Sequence, residues 1–251
     1  MKHLQNEKGF TLVELAIVMT IIGLLIGGVL KGQELMENAR VTSTISQVKG
    51  YEGAVTTFRD TYNYLPGDMP NAASRLPDCA GCNAGGGTTG NNIIGTVNAI
   101  GTNNSAVTTE NTLFWTHLLK ANLIAGVTDA AISGGTVQWG ETHPSAPVGG
   151  GFTVGNGNGG GNATWSAGTT PIGNHVVLRT APATAISTTA NQQPLSPMRA
   201  AQIDRKMDDG ISGSGSVLGY GVTASCSGGL NGSYDETVES KDCGLAFKLQ
   251  N

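Results

Sequence analysis

The sequence predicts an α+β protein: one long N-terminal α-helix packed on a small antiparallel sheet head with long Gly/Asn-rich loops. Three observations predict it. Residues 10–30 are apolar apart from Glu14. The apolar residues that follow, as far as Tyr62, recur at helical spacing. Beyond them, short β-branched and aromatic runs alternate with glycine- and asparagine-rich stretches, the pattern of strands joined by loops.

The 21 residues from Phe10 to Leu30 carry one charge, Glu14. At ~1.5 Å rise per residue they span roughly 30 Å, the thickness of a hydrocarbon core. An ionisable group in such a segment is costly, so Glu14 needs a partner or a purpose. Gly23 and Gly27 form G-x-x-x-G, a close-packing pattern for membrane helices, although glycine is common in such spans in any case. Gly27, Gly28 and Gly32 cluster where helix propensity is lowest, at about 1 kcal/mol each relative to alanine.

From residue 31 the pattern changes. Val41, Ile45, Val48, Val55, Phe58 and Tyr62 share one face of a helix, with Tyr51 and Glu52 in the longest gap. One helix from about Thr11 to Tyr62 is therefore expected, apolar all round and then amphipathic. Residues 63–71, with Pro66-Gly67 and Pro70, end it. The organisation that follows is a leader at 1–9, an apolar helix at 10–30, an amphipathic stem at 31–62 and a globular head at 63–251.

Within the head, residues 108–125 read as a helix that Thr109 caps and Gly126 terminates, and 196–210 as another. In the second, Ser196 takes the N-cap place, Pro197 the first helical position and Gly210 the exit, with Ala200, Ile203 and Met207 on one face. Strands are expected at 93–100, 136–139, 152–154, 175–179, 217–224 and 245–249. Residues 77–109 are low in complexity, and 149–161, mostly glycine and asparagine, read as loop.

Composition narrows the function. Charged residues are 13%, aromatics 5% and glycines 38, so the chain is polar, weakly charged and rich in loops. Net charge is −4, and the acidic surplus lies after residue 62, which argues against nucleic acid as a partner. His117, His143 and His175 are isolated, and no nucleophile motif accompanies them. No enzyme is expected. Trp115, Trp139 and Trp165 read as core or loop-packing residues.

Four cysteines, Cys79, Cys82, Cys226 and Cys243, allow three pairings. Nearness in sequence favours Cys79 with Cys82 and Cys226 with Cys243. The C-x-x-C could instead be a redox pair or half a zinc site, but it lacks a βαβ setting, a second C-x-x-C and paired histidines. Asp204, Asp208 and Asp209, with Asp68, form a candidate Ca²⁺ site, although the spacing is not that of an EF-hand and Arg205 and Lys206 stand among them. The alternative is a solvated helix end. No other cofactor is indicated.

The run Gly9-Phe10-Thr11-Leu12-Val13-Glu14-Leu15-Ala16-Ile17-Val18, behind a basic leader with Lys2 and Lys8, resembles the signal of type IV prepilins and type II secretion pseudopilins. The resemblance implies cleavage between Gly9 and Phe10 by a prepilin peptidase and methylation of the new Phe10 amine. It also makes Glu14 the glutamate that meets that amine in a neighbouring subunit. Residues 65–72 and 203–210 resemble pilin-like stretches more weakly. The pair Cys226 and Cys243 resembles the C-terminal disulfide loop of type IV pilins. Calcium binding occurs in some pseudopilins, and part of the stem helix melts on assembly in such filaments, which points to Gly27, Gly28 and Gly32.

The function expected is a structural subunit (pilin, minor pilin or pseudopilin) of a type IV-like filament. Its partners are the prepilin peptidase, copies of itself or related pilins, an inner-membrane assembly platform and the lipid bilayer. The leader stays cytoplasmic by the positive-inside rule, and the head lies in the periplasm or outside. The alternative is a membrane-anchored adhesion protein whose head recognises a ligand.

Overall fold

The computed structural model describes residues 11–83, 89–95, 100, 108–131, 136–162, 164–165, 168–226 and 232–249. Gly9 and Phe10 lie outside them. The chain forms two compact units, Met1–Arg40 and Val41–Asn251. The helix α1, Leu12–Tyr62, belongs to both.

In the first unit α1 carries no packed face. Large side chains from Leu12 to Met36, among them Leu15, Ile17, Leu24 and Leu30, are exposed. The low-propensity glycines at 23, 27, 28 and 32 are helical, and a Cβ built on any of them meets open space. Among the described residues nothing packs on the G-x-x-x-G surface.

In the second unit α1 buries one stripe: Val41, Thr44, Val48, Tyr51, Ala54, Val55 and Phe58. Ile45 and Tyr62 pack at its edge. Tyr51 is the centre of the stripe, with its ring edge-on to Trp115 at 5.0 Å and to Phe152 at 5.5 Å. The helix ends where Asn63 turns left-handed, φ 58, and its N–H donates to the Arg59 carbonyl at 2.8 Å.

A short helix α2, Ala72–Arg75, follows. Next comes α3, Glu110–Lys120, shorter than the sequence suggests. Gly126 does not end it. Asn122 does, with φ 57: its N–H donates to the Leu119 carbonyl at 2.9 Å, and the Leu123 N–H to the Leu118 carbonyl at 3.0 Å. These are the two bonds of a Schellman motif, in which asparagine stands in for glycine.

The sheet comprises β1 (Gly151–Asn158), β2 (Ile172–Arg179), β3 (Val217–Gly221) and β4 (Cys243–Lys248), in the order β1-β2-β4-β3 and antiparallel throughout. Helix α4, Pro197–Met207, precedes β3. Ser196 and Thr109 stand extended before their helices, but neither hydroxyl caps one.

Two strand expectations are corrected. Residues 136–139 form no strand, only a bridge from Trp139 to His143. The expected strand 152–154 is present and extends over Gly151–Asn158 as β1, so the glycine- and asparagine-rich residues that flank it are strand and not loop. A Cβ on Gly151 would collide with the Pro144 carbonyl and the Trp139 ring, and one on Gly157 with the Pro171 carbonyl. The glycines are there because neighbouring groups press on the strand. Of the expected strand 93–100, residues 93–95 are not strand, and 96–99 lie outside the described residues.

Val154, Val176, Leu178, Leu245 and Phe247 face the main core with the α1 stripe and Phe114. The opposite sheet face carries a smaller cluster of Val177, Tyr220, Ala246, Trp165 and Ile100, with Ile186 against it.

Candidate functional site

The α1 N-terminus is built from a T-x-x-E pattern. Thr11 donates from its N–H and its hydroxyl to Glu14 Oε2, both at 2.8 Å, and the Glu14 N–H donates back to Thr11 Oγ1 at 3.2 Å. This is a capping box, which satisfies helix-end donors that would otherwise be bare. An apolar medium offers such donors no water, so the box lets this end sit near lipid. The carboxylate also lies at the positive end of the helix dipole. Sequence reading singled out Glu14 and passed over Thr11; the three-residue spacing was the signal.

Behind the cap, α1 is long and apolar enough to cross a membrane by length and composition, and its apolar window is wholly unburied.

Residues 4–30 match the prokaryotic N-terminal methylation motif. This is the signature of type IV pilins and pseudopilins. The motif covers Thr11, Glu14 and the apolar stretch, and its range includes Gly9 and Phe10. No curated protein and no solved structure matches the chain.

The structure pairs Cys79 with Cys82, Cα atoms 5.2 Å apart, and Cys226 with Cys243, 5.1 Å apart. All four are buried. Cys243 opens β4, and its backbone exchanges hydrogen bonds with Leu195, so the second bridge ties the 222–226 turn to the sheet. The first lies beside His117. The Gly67 N–H donates to His117 Nδ1 at 2.9 Å, which leaves Nε2 to donate to the Cys82 carbonyl at 3.0 Å. Burial lowers the pKa of His117 to about 4, so a neutral ring joins α3, the Pro66-Gly67 turn and the disulfide loop. His143 and His175 are likewise buried and pushed down, to about 3 and about 4, with burial the main cause in both.

The carboxylates of Asp204, Asp208 and Asp209 come within 4.8 Å of one another. That spacing could bridge a divalent cation, but each also serves its own chain. Asp204, fully buried, accepts from Tyr234 Oη at 2.8 Å and from the Gly210 N–H at 3.2 Å. Asp208 accepts from the N–H groups of Ser216 and Val217. Asp209 accepts from the Ile211 N–H and the Ser214 hydroxyl. The trio pins the 210–217 loop to the end of α4. Arg205 turns away to pair with Glu236.

Asp68 is not with them. It is buried under the 90–92 turn, where it accepts from the N–H groups of Gly90, Asn91 and Asn92 at 2.6, 3.2 and 2.7 Å. The sequence places it with the trio as a candidate ligand; the fold gives it a local turn to hold instead. Its unforeseen neighbour is Glu110, whose Oε2 accepts from the Gly95 N–H at 2.8 Å while Oε1 is buried without a hydrogen bond. Burial, with a contribution from Asp68, raises the Glu110 pKa to about 7.

Proposed function

We propose that the chain is a structural subunit of a type IV-like filament, made as a membrane-inserted precursor, cut after Gly9 and methylated at Phe10. The observation that carries the reading is the methylation motif over residues 4–30, laid on a helix that starts with the Thr11–Glu14 box and continues as a bare apolar surface. Such a surface needs either lipid or other copies of the same helix to cover it. In the membrane, lipid covers it; in a fibre, neighbouring stems do.

The cut leaves a cationic amine at Phe10. In a stack of staggered helices, Glu14 of one subunit reaches the amine of the next. An ion pair at low dielectric adds little stability but discriminates strongly between registers. The inner-membrane peptidase and assembly platform are the partners this route requires.

The test is the intact mass of protein recovered from sheared filaments. The expected mass corresponds to loss of residues 1–9 and gain of one methyl group. A chain still beginning at Met1, or one cut beyond Leu30, overturns the assignment.

A further inference from the structure

We propose that Asn162 is the acceptor of an N-linked saccharide, attached after export by a transferase that draws on a lipid-linked sugar diphosphate. The inference rests on export of the head, as in the reading above. Three positions spell Asn-x-Ser/Thr, the pattern of such acceptors: Asn103-Asn104-Ser105, Asn162-Ala163-Thr164 and Asn231-Gly232-Ser233. Asn103 and Asn231 lie outside the described residues. At Asn162 the pattern is also a geometry. Its Oδ1 accepts from the Thr164 N–H at 3.0 Å and from the Thr164 hydroxyl at 2.5 Å. A β-branched side chain has few rotamers, which holds the hydroxyl on the amide.

Asn162 lies in the connection from β1 to β2, and its turn is anchored. The Thr164 carbonyl accepts from the Gly221 N–H at 2.9 Å, and the Asn162 N–H donates to the Gly168 carbonyl at 2.9 Å. Trp165 is buried, its ring centroid 5.3 Å from that of Tyr220. Asn162 itself is half-buried, and Gly161, Gly168 and Thr169 around it are exposed. An amide nitrogen is a poor nucleophile because resonance shares its lone pair with the carbonyl. Two donors on Oδ1 favour the imidate form, in which that lone pair is freed as a proton leaves. Nδ2 then bonds to the anomeric carbon of the donor sugar. The bond from that carbon to the diphosphate oxygen breaks, the diphosphate leaves with the electron pair, and the Nδ2 proton passes to a base of the transferase. No Asp, Glu, Lys or Arg occurs from 142 to 178, so a saccharide would add hydration to a stretch without charge.

The test is peptide mapping of the protein recovered from its source cells, with thiols alkylated before digestion and attachment sites assigned by electron-transfer fragmentation. The expected result is a saccharide on Asn162. Asn162→Asp keeps an acceptor for both Thr164 donors but has no side-chain nitrogen, so the chain should fold and the saccharide should be lost. Thr164→Ser keeps the hydroxyl and should retain the saccharide. Thr164→Val keeps the N–H bond and the shape, and should lose most of it. An unmodified Asn162 in a chain with Cys226 bonded to Cys243 overturns the proposal and leaves the filament reading standing. Free thiols at those two cysteines overturn the export on which both rest. A saccharide at Asn103 or Asn231 only, or one that persists in Asn162→Asp, also overturns the assignment.

Discussion

Glu110 sits where a negative charge is poorly accommodated: one oxygen holds the Gly95 N–H, the other has no donor, and Asp68 is nearby. Its pKa rises from 4.5 to about 7, chiefly by burial. A carboxyl raised in the fold binds a proton that the unfolded chain releases. Its contribution is thus fully present below about pH 4.5 and is lost as pH rises through about 7. The buried histidines act at the other end. Their folded pKa values of about 4 and about 3 lie below the ordinary 6.5, so their contribution is present above 6.5 and lost as pH falls through the folded values. Glu110→Gln should therefore flatten the decline on the alkaline side and leave the acid limb unchanged. Relative to wild type, the variant should gain about 1–2 kcal/mol between pH 5 and pH 8, after allowance for solvent screening. Chemical denaturation at both pH values measures it; parallel curves would mean that the carboxyl is already ionised in the fold.

Among the elements, the end of α3 shows how local chemistry positions the core. Asn122 adopts φ 57 so that the chain can reverse and bring Leu123 back onto the core cluster. Alanine pays a Cβ penalty in that conformation, whereas glycine does not. Asn122→Ala should cost about 1 kcal/mol, and Asn122→Gly should be neutral or slightly stabilising. The pair separates a backbone effect from loss of the amide: equal destabilisation by both would assign the role to the side chain. β1 makes a similar point for a strand. Its glycines are tolerated because Pro144, Trp139 and Pro171 crowd the backbone, and that crowding lies on other segments of the chain.

At the scale of the whole molecule, the proposed function is tested at Glu14. Glu14→Ala removes a charge from the apolar segment, so insertion should proceed, and Gly9 remains available for cleavage. In a fibre each subunit would then bury an unpaired amine, at a cost of about 3–5 kcal/mol. The expected outcome is a normal membrane pool with few or no filaments. Thr11→Val is the control, because the Thr11–Glu14 contacts mean that Glu14→Ala also removes half of the helix cap. Thr11→Val loses the hydroxyl of the box, worth about 1 kcal/mol, but keeps the carboxylate, so it should still assemble. Cell fractionation with recovery of sheared filaments reads both variants. Wild-type filament yield from Glu14→Ala would favour an anchored adhesion protein instead.

The long helix, its apolar first half, its end near residue 62 and the methylation motif were legible in the chain because each depends on neighbours in sequence. An apolar run of membrane length, a local motif and nearby breakers act over a few residues and need no distant partner; the Thr11–Glu14 box is equally local but was passed over. The sheet was legible in outline: the expected strands 152–154, 175–179, 217–224 and 245–249 fall on β1, β2, β3 and β4, but the glycine and asparagine residues that lengthen β1 to Gly151–Asn158 carried no strand signal. The tertiary structure alone decided which charges are buried. Glu110 and Arg179 read as scattered charges of a weakly charged head, and Asp68 as a companion of the aspartates at 204, 208 and 209. The chain brings Asn92 to Asp68, Gly95 to Glu110 and Thr184 to Arg179, and in doing so removes water from three ionisable groups. Desolvation depends on what the fold lays over a residue, so no local spacing encodes it.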